Sequence, residues 1–341
     1  MPQQERAECL VNHNNPIPTT DLRLQPPPIL ARIKPDDPAA RAVCAALATA
    51  RSRMQESEAS ARAGDSEGIH RLRTATRRLR SELRALGELV DPQWLEPLES
   101  ELKWLAGVLG AARDVDVLSQ RLRKDLAARN ADADQRALAP VFAELMARQA
   151  RAAHELQHVL LGERYRRILA ALERASQHPP LTAEARVACR RALPPVAAKA
   201  WRRLKKAARE LRRSDPDELF HEVRKLAKRA RYTAELIAPA LGQPALKGAR
   251  RFIRRTSRVQ DVLGAHQDAV VAGQEVAAAL AAHPEDGPFA EAAHRLLESQ
   301  RAAADAARSE FFDLWDRLDR KKTTRWIRKA TKAKARLTAR S

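Results

Sequence analysis

Apolar residues recur at spacings of three and four along this chain, from the turn Asp36-Asp37-Pro38 to about Leu318. This period places them on one face of an α-helix, and the runs of β-branched residues that would indicate strands are absent. Proline, glycine and Asp/Ser turn signals divide the pattern into roughly ten segments, with helix breaks predicted at Gly110, Gly264 and Pro194-Pro195 among others. The sequence therefore predicts an all-α protein whose neighbouring helices are antiparallel.

Two stretches of the chain resemble each other. The stretch from His70 to Arg80 matches the stretch from His221 to Arg231, at an offset of 151 residues. A similar Leu-Gly segment follows each of them, Leu109 to Val115 in the first case and Leu263 to Ala269 in the second. Two matched segments in the same order indicate a duplicated helical unit, and we expect its copies to be related by a pseudo-twofold axis.

Each repeat carries a line of basic side chains when it is placed on a helix at about 100° per residue. The first stripe comprises His70, Arg73, Arg77, Arg80 and Arg84, and the second stripe comprises His221, Arg224, Lys228 and Arg231. Arg71 and Arg78 fall on another side of the first helix. Neighbouring like charges on a helix repel by about a few tenths of a kcal/mol, whereas arginine presents a fork of donors that suits phosphate oxygens. The repeated stripe therefore predicts an anion-binding site, with a solvated charged face as the alternative.

The charge of the chain points to a polyanionic partner. Its 341 residues include 63 Lys and Arg against 43 Asp and Glu, a formal net charge of +20. Polyphosphate, nucleic acid and an anionic membrane surface are the partners that such a charge favours. We predict three regions: a disordered, proline-rich arm over 1–37, a helical domain over 38–319 with halves at about 38–178 and 181–319, and a basic C-terminal tail over 320–341.

Several classes of protein are excluded by what the sequence lacks. Neither GxGxxG nor GxxxxGK[ST] occurs, so the common Gly-rich nucleotide loops are absent. No apolar run approaches the ~20 residues that cross a bilayer, and no secretory signal is visible. Cys9, Cys44 and Cys189 lie too far apart for a CxxC metal site or a disulfide framework, which favours a reducing, cytoplasmic setting.

These features resemble the CHAD family, the conserved-histidine α-helical domain. Its members show a His-x-x-Arg-x-x-x-[Arg/Lys]-Arg-x-Arg helix in each of two halves, followed each time by a Leu-Gly segment with an aspartate. This chain has all four pieces in order, over roughly residues 38–319. The resemblance implies two antiparallel four-helix bundles, related by a pseudo-twofold axis, around a basic central groove that binds inorganic polyphosphate.

Two features depart from the family pattern. His266-Gln267 replaces a charged pair in the second Leu-Gly segment, so this half lacks a counterpart of Arg113. The acidic triphosphate-tunnel domain that is often fused to this family has no equivalent here. A catalytic function borrowed from that domain is therefore not supported.

The resemblance also implies individual binding residues. They are His70, Arg73, Arg77, Arg78, Arg80 and Arg113 in the first half, and His221, Arg224, Lys228, Arg229, Arg231 and Tyr232 in the second. The matching aspartates, Asp114 and Asp268, are expected to pair with arginines and to orient them, and Asp116 is expected to cap a helix.

A further group of basic residues is predicted to extend the groove. Lys199, Arg202 and Lys206 line one side of another predicted helix, and Arg258 precedes the second Leu-Gly segment. Their spacing predicts a shared face of the helix, but exposure to solvent is the alternative for all four.

Binding without catalysis is the main functional prediction. No activated serine or cysteine with its base is apparent, and no carboxylate cluster for Mg²⁺, so we expect no cofactor and no metal. The segment from His154 to His158 matches HExxH, but Leu161 and Arg164 stand where an extended zinc motif needs glycine and histidine. We expect non-enzymatic polyphosphate binding in the cytoplasm, at polyphosphate granules. A basic nucleic-acid-binding protein is the first alternative, and a metal-dependent polyphosphate-processing enzyme is the second.

Overall fold

The computed structural model describes residues 30, 32–129, 131–282 and 287–338. Its α-helices are α1 (Ala40–Arg62), α2 (Ser66–Ala85), α3 (Pro92–Ala128), α4 (Asp132–Ala137), α5 (Ala139–Leu161), α6 (Glu163–Gln177), α7 (Cys189–Glu210), α8 (Asp217–Ala240), α9 (Gln243–Ala282), α10 (Gly287–Leu318) and α11 (Arg325–Thr338). Two 3-10 turns and two isolated β-bridges complete the backbone pairing, and no strand occurs in these ranges. The prediction of an all-α fold is confirmed.

Predicted turn residues cap the N-termini of α2 and α3. At the start of α2, the side chain of Asp65 accepts a hydrogen bond of 2.7 Å from the backbone N–H of Gly68. At the start of α3, Asp91 accepts one of 2.9 Å from Gln93, and Pro92 is the first helical residue. These caps satisfy N–H groups that have no partner within the helix, and so determine where each helix begins.

Three predicted helix breaks are wrong. Gly110 lies inside α3, Gly264 inside α9, and Pro194-Pro195 inside α7. A glycine in a helix costs about 1 kcal/mol relative to alanine and a proline about 3 kcal/mol, and the packing of a long amphipathic helix outweighs both. Each Leu-Gly segment therefore lies in the middle of a long helix, of 37 residues in α3 and 40 residues in α9. Despite this length, none of the helices in the described ranges is apolar enough to cross a membrane.

The buried side chains form two hydrophobic clusters, and each cluster draws on both predicted halves. The larger cluster includes Leu79 of α2 and Phe252 of α9. The smaller cluster joins the C-terminal parts of α3 and α9 to α4, α5 and α10, with Leu122, Phe142 and Phe289 among its members. The two halves therefore share their cores, and the pseudo-twofold relation between two bundles stays a prediction.

Both predicted domain boundaries cut into the packed body. Leu30 and Ile33, which the composition assigns to the arm, are buried in the larger cluster. At the other end, α11 packs against α7 and α9, and the ring of the buried Trp326 lies 6.0 Å from that of Phe252. Apolar side chains at these positions outweigh the polar composition around them. Residues 1–29 of the predicted arm and 339–341 of the predicted tail lie outside the described residues.

The helices that carry the two stripes, α2 and α8, contact each other. The long helix that follows each of them, α3 after α2 and α9 after α8, packs along its stripe helix. This arrangement brings both stripes and both Leu-Gly segments to the same region of the molecule.

Candidate functional site

A cavity of about 1200 Å³ lies between α2 and α8, and residues of α1, α3 and α9 complete its walls. Nine residues that the sequence predicts to bind anions line it: His70, Arg73, Arg77, Arg78, Arg113, His221, Arg224, Lys228 and Arg231. The two predicted orienting residues, Asp114 and Asp268, line it as well. In all, ten Arg and Lys side chains and five carboxylates line this central cavity, which therefore has an excess of positive charge.

Six predicted binding residues do not line the central cavity: Arg80, Lys199, Arg202, Lys206, Arg229 and Arg258. Lys199, Arg202, Lys206 and Arg258 have exposed side chains, as in the alternative that the sequence left open. The three on α7 do not extend the groove, because the opposite face of α7 is the one that packs into the core. Arg80 and Arg229 are half-buried in another place, where burial and the charge of Arg84 lower the pKa of both.

The sequence did not identify three arginines that line the cavity, Arg53, Arg71 and Arg121. Arg53 belongs to α1, which has no stripe, and the packing of α1 against α2 brings it there. Arg121 lies two turns after Arg113 on the same face of α3, a spacing that could have revealed it. The helical phase predicts that Arg71 lies away from the first stripe, yet this exposed residue lines the cavity. A long arginine side chain can reach a cavity from a flanking position on its helix.

The glycines of the Leu-Gly segments lie next to the stripe arginines. A Cβ atom at Gly264 would lie 3.4 Å from Nη2 of Arg224, and one at Gly110 would lie 3.9 Å from Nε of Arg73. Each glycine is therefore next to the first arginine of the stripe in its own half. The Leu-Gly segment is a contact surface for a guanidinium group and not a helix break.

Aspartates on α3 and α9 accompany the same arginines. Arg73 Nη2 donates a hydrogen bond of 2.7 Å to Asp114 Oδ1, which is the predicted pairing. Asp268 makes no such ion pair within the described ranges. Burial raises the pKa of Asp268, and the charge of Arg224 opposes that rise, so the two interact at longer range. The first stripe is thus held more directly than the second.

Asp116 does not cap a helix, because α3 continues through it. Its Oδ2 accepts a hydrogen bond of 2.7 Å from Ser66 Oγ and pairs with Arg113. Ser66 is the first residue of α2, so this contact fixes α3 against the beginning of the first stripe helix.

The second half is built differently at the corresponding point. Gln267 stands where the first half has Arg113 and lines the cavity, whereas His266 is fully buried behind it. His266 Nε2 lies 3.0 Å from Asp217 Oδ1 at the start of α8, and Arg308 of α10 also pairs with this carboxylate. The departure at His266-Gln267 therefore replaces a charged cavity residue by a buried contact between α8, α9 and α10.

Two predicted binding arginines are neutralised by carboxylates. Arg78 lies 2.7 Å from Glu82 and 2.6 Å from Glu235, and Arg231 lies 3.6 Å from Glu235. Burial would lower the pKa of Arg78, but the charges of Glu82 and Glu235 raise it above its ordinary value. Both guanidinium groups also lie about 5 Å from the ring of Tyr232. Arg78 and Arg231 therefore join α2 to α8 and have little charge to offer a ligand.

Around Lys228 the stripe residues carry more positive charge than the neighbouring carboxylates neutralise. Burial, with the charges of Arg77 and Arg224 next in importance, lowers the pKa of Lys228 to about 7. Burial also lowers the pKa of Arg73 and of Arg224, despite the aspartate near each. An anion that enters the cavity would favour the charged form of all these groups.

The two histidines that begin the repeats line the same cavity. Burial and the charges of Lys225 and Arg224 lower the pKa of His221, so that its ring is neutral at pH 7. Its buried Nδ1 has no hydrogen-bond partner among the described residues. The histidine can therefore serve as a neutral donor to an anion, or take up a proton in the field of one.

Metal ligands are sparse among the described residues, which contain no group of three or more His, Cys, Asp or Glu side chains able to hold a metal ion. His154 and His158 of the HExxH segment lie on the exposed side of α5 with ring centroids 5.6 Å apart. Two of the carboxylates that line the central cavity, Asp114 and Glu235, pair with arginines instead.

The fold and the cavity define a class of all-helical protein in which two repeated His/Arg helices line one basic cavity. The sequence model of the CHAD domain matches residues 45–277. The chain therefore belongs to the CHAD domain family, as the resemblance of its repeats indicates.

Two relatives come from Mycobacterium tuberculosis, the uncharacterized proteins MT2285 of strain CDC 1551 / Oshkosh and Rv2226 of strain ATCC 25618 / H37Rv. Each is 31% identical to this chain over 245 residues. The matched region is 63% of this chain but only 41% of each relative, so the chain spans less than half the length of these proteins.

Two solved structures share the fold. PptA from Streptomyces chartreusis has a TM-score of 0.70 and 22% identity, over 82% of this chain and 100% of that one. The CHAD domain from the plant Ricinus communis has a TM-score of 0.66 and 24% identity, over 85% of this chain and 96% of that one. At these identities the likeness establishes the architecture of the helices.

Proposed function

We propose that this protein binds inorganic polyphosphate in its central cavity and does not transform it chemically. The observation that carries the proposal is the group of cations around Lys228. Arg73, Arg77 and Arg224 all act on this lysine through space, and the cavity holds half as many carboxylates as Arg and Lys side chains. Partly buried like charges destabilise one another, and a bound chain of phosphates reverses that effect.

The arrangement suits a linear chain better than a single phosphate. Successive stripe residues lie one helical turn apart, about 5–6 Å along the axis, and the two stripes line the same cavity. A ligand with a negative charge on every unit can meet several of these residues at once. A single phosphate would reach one or two of them and leave the rest unpaired.

Nucleic acid fits the cavity less well, although its charge is suitable. Proteins that bind single strands without sequence preference stack bases on aromatic side chains. Tyr232 is the aromatic residue among those that line the cavity, and its ring lies beside Arg78 and Arg231. This environment supports a ligand that has phosphates and no bases.

The absence of catalysis is part of the proposal. Phosphoryl transfer normally uses a divalent metal to neutralise the developing charge, and carboxylates hold that metal. In the cavity Asp114 pairs with Arg73, and Glu235 with Arg78, so these carboxylates are engaged by cations. A protein with this binding function would be carried to polyphosphate granules in the cytoplasm by its ligand.

Binding titrations of the full chain test the proposal. We expect polyphosphate to displace single-stranded DNA at equal charge and fixed salt. We also expect the logarithm of the affinity to fall linearly with that of the salt concentration, by about 0.7 for each phosphate contact. An affinity that stays constant from low to physiological salt would contradict the groove. Phosphate release that requires Mg²⁺ would replace the binding proposal by an enzymatic one.

A further inference from the structure

A second basic pocket lies on the outside of the molecule. It has a volume of about 400 Å³ and is lined by Lys247, Gly248, Arg250, Arg251, Arg254 and Lys322. The first five belong to the N-terminal part of α9, and Lys322 belongs to the connection between α10 and α11. Leu246 and Ile253 of the same helix line the central cavity, and the two pockets have no lining residue in common. This outer pocket is therefore separate from the central cavity.

The five basic side chains of the outer pocket have no acidic partner among the described residues. Within the described ranges none of them makes a hydrogen bond or an ion pair through its side chain, and no carboxylate lines the pocket. The pKa of the neighbouring Arg255 indicates the same excess of positive charge. Burial lowers its pKa, and the charges that contribute next, from Arg251 and Arg320, are also positive. Many other surface arginines of this protein do pair with carboxylates, so this cluster is an exception.

The packing of α11 against α9 holds the connection that carries Lys322 in place. Gly248 allows this packing, because a Cβ atom there would lie 2.8 Å from the Cβ of Trp326. The connection that carries Lys322 is fixed on both sides. Arg255 donates hydrogen bonds to the carbonyl oxygen of Arg317 and to Thr323 Oγ1, and Arg328 donates one of 2.9 Å to the carbonyl oxygen of Lys321.

We infer that the outer pocket is a second binding site for a chain of phosphates, so that one protein molecule holds polyphosphate at two places. The inference rests on the proposed function for the identity of the ligand, but its residues are different ones. Exposed arginines without partners bind phosphate oxygens through charge-assisted hydrogen bonds, and more weakly than desolvated ones. Two sites on one chain-like ligand raise the overall affinity without any new contact in the cavity.

The chemistry of the pocket favours an inorganic chain over other polyanions. No aromatic side chain lines it, so bases have nothing to stack on. The exposed large apolar side chains of the described residues lie elsewhere, so nothing near the pocket would enter a lipid layer. What remains is a surface that recognises phosphate charge alone.

The experiment uses the full chain in which the central cavity is blocked by Arg224→Glu and Lys228→Glu. Calorimetric titration with tripolyphosphate at low salt should then show one remaining weak site. Adding Arg250→Glu and Arg254→Glu should weaken that site by tenfold or more. The matched control, Arg202→Glu with Lys206→Glu, makes the same charge change at the same spacing on exposed side chains of α7, and should change it by less than twofold.

With the cavity intact, Arg250→Glu and Arg254→Glu should lower the affinity for long polyphosphate by about tenfold and leave tripolyphosphate binding in the cavity unchanged. No remaining site in the blocked protein, or equal losses from the α7 control, would overturn the inference. So would tighter binding to single-stranded DNA or to anionic phospholipid vesicles through Arg250 and Arg254. If the cavity variant retains all polyphosphate binding and the outer variant loses it, the proposed function of the cavity fails and the outer site stands.

Discussion

The central cavity and the outer pocket are both lined with arginine, yet the protein treats the two groups of charges differently. In the cavity, Arg73 has an aspartate and a glycine surface against it, and Lys228 is buried among arginines. In the outer pocket, Arg250 and Arg254 are exposed and unpaired in the described structure. The two groups of basic residues therefore differ in burial and in their partners, although both are positively charged. Burial strengthens each contact with an anion, whereas exposed charges are screened by salt.

The largest expected effect comes from reversing charge inside the cavity. Arg224→Glu with Lys228→Glu should lower the affinity for polyphosphate by about 100-fold or more, because it removes two desolvated contacts and adds repulsion. Lys225→Glu with Arg229→Glu is the matched control on the same helix, since neither residue lines the cavity. Long-range electrostatic steering should weaken equally in both variants. The control keeps the direct contacts in the cavity, so its loss of affinity should be far smaller. Circular dichroism checks the fold, and equal losses would leave only a diffuse basic surface.

The next prediction concerns the pH dependence of binding in the central cavity. Lys228 has a pKa of about 7 in the free protein, and a bound phosphate chain favours its charged form, so binding takes up a proton above pH 7. The affinity should therefore fall as the pH rises from 7 to 9, by up to about tenfold per unit. Lys228→Arg should remove this dependence. If Lys228→Arg keeps the same pH profile, the lysine does not control it.

Lys228 should have the opposite effect on the pH dependence of the stability of the free protein. A lysine in the unfolded chain titrates near pH 10.4, so between about pH 7 and pH 10 the unfolded state binds more protons than the folded state. The free energy of unfolding should then rise with pH over this window. Thermal unfolding from pH 7 to pH 9, with Lys228→Met as the control that lacks the titrating group, measures it. A melting temperature that falls in this range by the same amount in both proteins would contradict the assignment.

The smallest expected effect concerns Gly264, the glycine that lies next to Arg224 in the central cavity. Gly264→Ala places a methyl group 3.4 Å from Nη2 of Arg224, which restricts the positions that the guanidinium can take around an anion, and we expect a loss of affinity of about threefold. The stability of the fold should hold or rise, because alanine favours a helix over glycine by about 1 kcal/mol. Gly107→Ala is the matched control, with nothing within 4 Å of its Cβ position. An identical loss in both variants would mean that helix stiffness, and not Arg224, is responsible.

The helical period of the sequence predicts which residues form each stripe, but it does not predict which residues of other helices join them in the cavity. Helical phase alone puts Arg73 and Arg77 on one face of α2, and Arg224 and Lys228 on one face of α8, and this is a local property of the chain. Arg53 reaches the cavity through the packing of α1, which no local pattern encodes. Long-range contacts of this kind depend on the whole fold.

Some of what the sequence analysis missed was nevertheless visible in the sequence. Glu82 and Glu235 lie four residues after Arg78 and Arg231, the spacing of helical ion pairs, and these pairs mark the two arginines as structural. The Leu-Gly segments were misjudged for the opposite reason. Glycine has a low helix propensity, but in the interiors of α3 and α9 it lies next to a guanidinium group of the stripe helix, a tertiary contact that the local sequence does not show.

The smaller hydrophobic cluster has a mechanical consequence. It joins the C-terminal parts of α3 and α9, two of the helices that line the cavity, to α4, α5 and α10. Because this packing lies beyond the cavity, we expect it to hold the two helices at a fixed separation. We expect a cavity of fixed width to accept a thin, flexible polymer and to exclude a stiff duplex of the same charge.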